Sequence, residues 1–216
     1  MNDEPLVAHS LAEAYLYLKA TPCASCGRGP LEASDAPPAD AQDKEEDLTV
    51  TLTVTCGACQ SVATRTFQLP GRVACPSRRR RHGGATLDHA TESESAVIVN
   101  PTDEPSQILD VGQWIVLFRM ISEAAGREAD KSRARRLGIE AAQCLEEALK
   151  FYDELDNDLP PPEAFFHNAS RERFRRAPEQ FSKRRLIELH SKLPITSTAR
   201  SRQSVPKKKR WWRRTR

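Results

Sequence analysis

The sequence predicts an α+β chain: a small N-terminal unit of one short helix plus a β-hairpin, a separate α-helical hairpin domain, and a disordered basic tail. Leu48, Val50, Leu52 and Val54 alternate with four threonines, the period of a half-buried strand. Between Ile108 and Leu155 apolar residues instead recur every three or four positions, the period of helices that pack through one face. Residues 194 to 216 show neither period and are rich in Lys, Arg, Ser and Thr. Leu, Ile, Val and Phe number 43 of 216 residues, near the roughly 20% at which a highly charged chain fails to order throughout. Folded and unfolded segments are both expected.

In chain order, Ser10 followed by Glu13 has the spacing of a capping box, and Leu11, Ala14, Tyr15 and Leu18 continue at helical spacing until Thr21 and Pro22. Residues 33 to 47 hold six acids, one Lys and two prolines with no large apolar side chain. Burial there cannot offset the entropy of ordering, so an acidic loop is expected. The alternating strand then runs into Cys56, and residues 61 to 69 favour a second strand, with the hairpin turn at Cys56-Gly57-Ala58-Cys59. Pro70 and Gly71 close this unit, which spans residues 1 to 70.

Residues 71 to 95, with four consecutive arginines from Arg78, read as a basic flexible linker to a helical domain at 96 to 193. A short strand is expected at 96 to 99. A helix starting near Ser106 would carry Ile108, Val111, Trp114, Ile115, Phe118 and Ile121, and Gly126 would end it. Asp130 would cap a second helix carrying Leu137, Ala141, Cys144, Leu145, Ala148, Phe151, Tyr152 and Leu155. The short connection favours antiparallel packing. Glu146, Glu147 and the acids from Asp153 to Asp158 fall at positions expected to face solvent. Phe165, Phe166, Phe174 and Phe181 are expected to dock on the hairpin, and Pro178 to open a last helix through about Leu193.

The cysteines carry the chemistry. Cys23-Ala24-Ser25-Cys26 and Cys56-Gly57-Ala58-Cys59 are two CxxC pairs, a spacing that puts both sulfurs of a turn on one metal ion. Twenty-nine residues separate them, and setting aside the fifteen of the acidic loop leaves fourteen, close to the usual ~15 to 20. In the order knuckle, strand, strand with second knuckle, strand, residues 21 to 69 resemble the zinc-ribbon class, which includes many uncharacterised bacterial proteins. The resemblance covers about a quarter of the chain and implies one structural Zn2+ held by Cys23, Cys26, Cys56 and Cys59. Disulfides and redox chemistry compete with this reading. The first needs an oxidising compartment; the second needs a CxxC at the start of a helix, where neither pair is placed. Four thiolates would leave no position for a catalytic water, and no other catalytic constellation stands out, so an enzyme is not expected. Cys144 lies on an apolar helical face as a packing residue. Cys75, His82 and His89 lack ligand spacing.

Charge points to a partner. The net charge is +3, yet residues 1 to 50 carry 3 basic and 10 acidic groups and residues 166 to 216 carry 17 and 3. The chain ends in Lys207, Lys208, Lys209, Arg210, Trp211, Trp212, Arg213, Arg214 and Arg216, around Thr215. Clustered cations release counterions from phosphates, and indole rings stack on bases, so nucleic acid is the leading partner. An anionic membrane surface would accept the same mixture. A second reading is an adaptor whose helical domain binds another protein through a partly exposed Trp114 face, with the tail for membrane contact, targeting or solubility. No small-molecule substrate is indicated. The start, MNDEPLVAHS, is acidic where a secretory signal is basic, and no apolar run is long enough to span a bilayer, so a cytoplasmic location is expected.

Overall fold

In the computed structural model the described residues are 4–34, 48–70, 98–152 and 157–193. Most of the acidic loop, the basic linker with Cys75, His82 and His89, and the whole tail from 194 lie outside them. The chain runs β1 (Leu6–Val7), α1 (Leu11–Ala20), β2 (Leu31–Ala33), β3 (Leu48–Cys56), β4 (Val62–Leu69), α2 (Val111–Arg127), α3 (Lys131–Leu149), α4 (Asn168–Arg176) and α5 (Lys183–Ser191). Single 3-10 turns occupy Pro162–Ala164 and Pro178–Phe181. The class is α+β, with one four-stranded sheet in the order β1-β4-β3-β2.

The β3/β4 hairpin pairs antiparallel from Leu48↔Leu69 to Thr55↔Val62. Its period is that of the sequence: Val50, Leu52, Val54 and Cys56 are buried, while Thr49 and Thr51 are exposed. The sheet has two strands beyond that hairpin. β2 pairs antiparallel with β3 through Leu31↔Cys56, and β1 pairs parallel with β4 through Leu6↔Phe67. Strands of two and three residues are too short to show a period, and partner backbone groups define them. β2 includes Ala33, so the acidic loop begins after the first residue assigned to it.

Helix starts are set by side-chain caps. Ser10 Oγ accepts from the Glu13 amide at 3.1 Å, but Glu13 does not complete the box. Its Oε2 turns to His9, accepting from the backbone amide and lying 3.2 Å from Nδ1. The expected start of α2 near Ser106 is five residues early. Ser106 Oγ accepts from Leu109 N at 2.9 Å, which makes a turn rather than a helix. Asp110 and Gln113 then cap reciprocally, at 2.8 and 3.0 Å. Asp130 caps α3 as expected, accepting from Arg133 N at 2.7 Å. Gly126 does not end α2, which runs on to Arg127, and α3 stops at Leu149 rather than near 155. The expected strand near 96 to 99 is absent at Ile98 and Val99. The last expected helix is a 3-10 turn followed by α5, with α4 before it.

The helices are not the separate unit expected. One contiguous apolar cluster runs from Ala14, Leu18, Leu52 and Phe67 to Trp114, Leu145 and Phe181. α1 touches both β2 and α2, and Ser10 Oγ donates to the Val99 carbonyl across the junction. Trp114 is 0% exposed, so no part of its side chain is presented to a partner. Phe165, Phe174 and Phe181 form a ring cluster with centroids 4.8 to 5.5 Å apart, as docking predicts, whereas Phe166 is exposed and meets Phe151 edge-on. Among the described residues no helix is long and apolar enough to cross a membrane.

Glu147 departs most from the solvent-facing expectation. It is 4% exposed, accepts from Asn100 Nδ2 at 2.9 Å and pairs with Lys150 at 2.6 Å. Glu146 is also partly covered, 3.1 Å from His190 Nε2. Burial pushes the Glu147 carboxyl up to about 7, outweighing the pull of the Lys150 ammonium. The Glu13 hydrogen bond holds His9 above its usual value against the effect of burial. Both shifts have the same sign for stability: the folded state keeps a proton that the unfolded chain releases. Stability should therefore fall as pH rises from the unfolded carboxyl value of 4.5 to about 7, and again through the raised His9 value. Urea midpoints at pH 5 and pH 8 test this; Glu147→Gln should flatten the first part of the profile. A midpoint that rises over that interval would refute the assignment.

Candidate metal centre

Two turns build the site. In the first, Gly27 N donates to the Cys23 carbonyl at 2.8 Å, and Gly27 takes φ +68°. In the second, Gln60 N donates to the Cys56 carbonyl at 2.9 Å, and Gln60 takes φ +60°. The residue after each second cysteine is thus left-handed, so the two knuckles share one backbone course. β2 and β3 hold them together: Leu31 lies opposite Cys56, and Gly57 N donates to the Pro30 carbonyl at 3.0 Å. Nothing lies within 4 Å of a Cβ built on Gly27, so Gly27→Ala should cost about 1 kcal/mol through φ alone. Thermal melts of the metal-loaded protein check this, with Gly27→Asn expected to cost less because Asn tolerates that conformation.

The sulfurs converge. Those of Cys23, Cys26, Cys56 and Cys59 all lie within 4.8 Å of one another and could hold a metal ion. Cys23 and Cys59 are 3.8 Å apart, Cys26 and Cys56 3.7 Å. These pairings cross from one knuckle to the other and form two opposite edges of the sulfur tetrahedron. Each distance is far beyond the ~2.05 Å of a disulfide bond, and all four cysteines are free. Burial is uneven: Cys23 and Cys56 are buried, Cys26 is intermediate and Cys59 is exposed. All four ligand residues expected from the sequence are therefore brought together in a zinc-ribbon-like site.

Ser61 completes the surroundings and escaped the sequence reading, its only signal being its place two residues after Cys59. Its Oγ lies 3.2 Å from both the Cys23 and the Cys59 sulfur. The Ser61 hydroxyl, helped by the Cys26 and Ser25 amides, pulls the Cys23 thiol down to about 5, and it lowers Cys59 as well. The Arg28 amide draws Cys26 down, yet burial and the three neighbouring sulfurs raise it to about 11. Four sulfurs this close cannot all carry negative charge on their own, so Cys26 holds its proton while Cys23 and Cys59 give theirs up more readily. A cation among them removes that conflict, which is the chemistry expected of a metal-ligand set.

Cys144 takes no part. It is completely buried on α3, and burial pushes its thiol up, as for an inert packing residue. Cys75 and the nine tail residues from Lys207 to Arg216 singled out for binding lie outside the described residues. Compared with protein-family models, curated protein sequences and solved structures, the chain gives no match.

Proposed function

We propose that this chain is a non-enzymatic zinc protein that contacts nucleic acid through its basic C-terminal region. The observation that carries the metal assignment is the cross-knuckle sulfur spacing of 3.7 and 3.8 Å. Zn–S bonds of ~2.3 Å in a tetrahedron give sulfurs about 3.8 Å apart. The ion would be structural: Cys23, Cys26, Cys56 and Cys59 fill its coordination, and its chemistry is to fix two knuckles that are otherwise joined by short strands. The compartment favours thiolates over disulfides if the chain stays in the cytoplasm.

The nucleic-acid reading is supported by charge segregation, with 17 basic against 3 acidic groups in residues 166 to 216, and by Trp211 and Trp212 set among seven cations. The adaptor reading has lost its expected surface, since Trp114 is buried. Purification with and without nuclease, reading absorbance ratio and zinc on the same sample, tests both halves of the proposal. Deleting residues 206 to 216 should lower affinity for a labelled single strand and flatten its salt dependence by roughly 0.7 per lost phosphate contact, with folding unchanged. Replacing only Trp211 and Trp212 by Ala should cost about 1 to 3 kcal/mol per stacked base and leave the salt slope in place. If deletion instead releases the protein from anionic vesicles and leaves oligonucleotide binding intact, the membrane replaces nucleic acid as the partner.

A further inference from the structure

One of the four ligand cysteines stands at the surface. Cys23 and Cys56 are buried and Cys26 is partly covered, but Cys59 is exposed, as are Gly57, Ala58 and Gln60 around it. That exposure is built into the turn. Cys56 N donates to the Ser61 carbonyl and Gln60 N to the Cys56 carbonyl, each at 2.9 Å, while the Gln60 side-chain amide closes on the Gly57 carbonyl at 3.2 Å. The second knuckle is thus pinned through its own backbone, which leaves Cys59 at the surface while its sulfur stays among the four that converge.

Cys59 shares an edge of the sulfur tetrahedron with Cys23. Their sulfurs are 3.8 Å apart, and the Ser61 hydroxyl lies 3.2 Å from each. The CxxC neighbour of Cys59 is placed differently: Cys56 is 0% exposed and lies 3.7 Å from Cys26, on the opposite edge. Cysteine binds a metal as the thiolate, which is also its nucleophilic form, whereas Zn2+ has no redox chemistry of its own. Oxidation follows thiolate character and exposure, so an oxidant reaching the centre meets Cys59 first, with Cys23 as the thiolate on the same edge. A single hydroxyl donates to one sulfur at a time, so Ser61 shields that edge only in part.

We infer that Cys59 and Cys23 form an oxidant-responsive pair: Cys59 takes oxygen from a hydroperoxide, Cys23 resolves it as a disulfide across the two knuckles, and the metal is released. This regulation rests on the zinc reading above. In the first step the Cys59 thiolate attacks a peroxide oxygen; an S–O bond forms, the O–O bond breaks, and the departing hydroxide takes a proton from solvent. In the second, the Cys23 thiolate attacks the Cys59 sulfur; the S–S bond forms, the S–O bond breaks, and a second hydroxide leaves and is protonated. The two sulfurs lose one electron each, and the two peroxide oxygens gain them. Only Cys26 and Cys56 then remain as ligands, too few to fill a tetrahedral site. In a reducing compartment such a disulfide is transient, formed under oxidant and undone by thiols.

The test loads the full chain with zinc, removes free reductant and adds hydrogen peroxide in the presence of a chromogenic zinc indicator; alkylation and peptide mapping by mass spectrometry then locate the disulfide. Peroxide should release the bound zinc with Cys23–Cys59 as the linkage, and dithiothreitol with added zinc should restore the metal content. Cys59→His keeps a full Cys3His ligand set and should slow release about tenfold, while Cys26→His, the matched exchange in the other knuckle, should change it less than about threefold. Ser61→Ala removes no ligand and should speed release about threefold, because thiolate nucleophilicity rises with basicity at a Brønsted slope of about 0.4 to 0.5. It keeps the test decisive if neither histidine variant takes up zinc. Equal slowing in the two histidine variants, unchanged or slower release in Ser61→Ala, a disulfide from Cys59 to any cysteine other than Cys23, or sulfinic acid at Cys59 without a disulfide would overturn the pair. Zinc retained under peroxide would overturn it too and leave the structural zinc reading standing. A chain that takes up no zinc before any oxidant is added would overturn both.

Discussion

Cys56→Ser is expected to empty the metal centre and to unfold the knuckles and sheet between residues 21 and 69. The wild-type protein should carry about one zinc per chain, released by a strong chelator. Structural zinc contributes an apparent ~10 to 16 kcal/mol in small metallo-domains, comparable to or above the ~5 to 15 kcal/mol total stability of an ordinary domain. Cys56 is the sharpest place to test this, being fully buried at the end of β3 and 3.7 Å from the Cys26 sulfur. The contiguous core makes a second expectation: because α1 packs on β2 and on α2, loss of the ribbon should also lower the thermal midpoint of the helices. Cys144→Ser is the control, costing about 1 to 3 kcal/mol for a buried hydroxyl with zinc content unchanged. A metal-free protein with a folded sheet and four reactive thiols would refute the assignment.

Asp110→Ala should destabilise the helices by about 3 to 5 kcal/mol, the cost of removing one partner from a buried, fully bonded charged group. Asp110 is 0% exposed and ties three segments together. Its Oδ1 accepts from Gln113 N and from Ser170 Oγ, each at 2.8 Å. Its Oδ2 accepts from Phe166 N at 3.1 Å and His167 N at 3.0 Å. The approach of α4 to α2 that makes these bonds depends on Gly112, where a built Cβ would lie 2.6 Å from Ser170 Cβ. Alanine at 110 strands four donors, two of them on the segment that precedes α4. Urea denaturation followed by ellipticity measures the loss. Asp110→Asn should be milder, since its carbonyl still accepts from part of the set, and a loss under 1 kcal/mol for the alanine variant would show that the carboxylate is not the tie described.

The hairpin and the ligand set were legible in the sequence because both are local codes. Alternation at Leu48 to Val54 reads out one face of a strand, and a CxxC turn needs only its own four residues to aim two sulfurs. Asp130 and Ser10 were legible for the same reason, as caps act within one turn. The misplacement of the α2 start shows the limit of that code. Ser106 and Asp110 are both good caps by residue type, and Asp110 prevails because Gln113 answers it and residues more than fifty positions away complete it, Ser170 sharing Oδ1 and Phe166 and His167 using Oδ2.

By itself the sequence determined the α+β class, the four candidate ligands, the apolar faces of the two long helices and the polarity of the chain, since each depends on residue type and short spacing. Only the tertiary structure decided that the ribbon and helices share one core, that Glu147 is buried with Asn100 and Lys150, and that Asp110 ties α2 to the segment before α4. The physical reason is distance along the chain. Ser10 and Val99, or Asn100 and Glu147, have no periodic relation that a sequence window could register, and whether a charged side chain faces water depends on which distant element packs over it. Burial, and with it the proton affinity of Glu147, exists only once α1, α3 and α4 have been brought onto α2 and α5 onto α3.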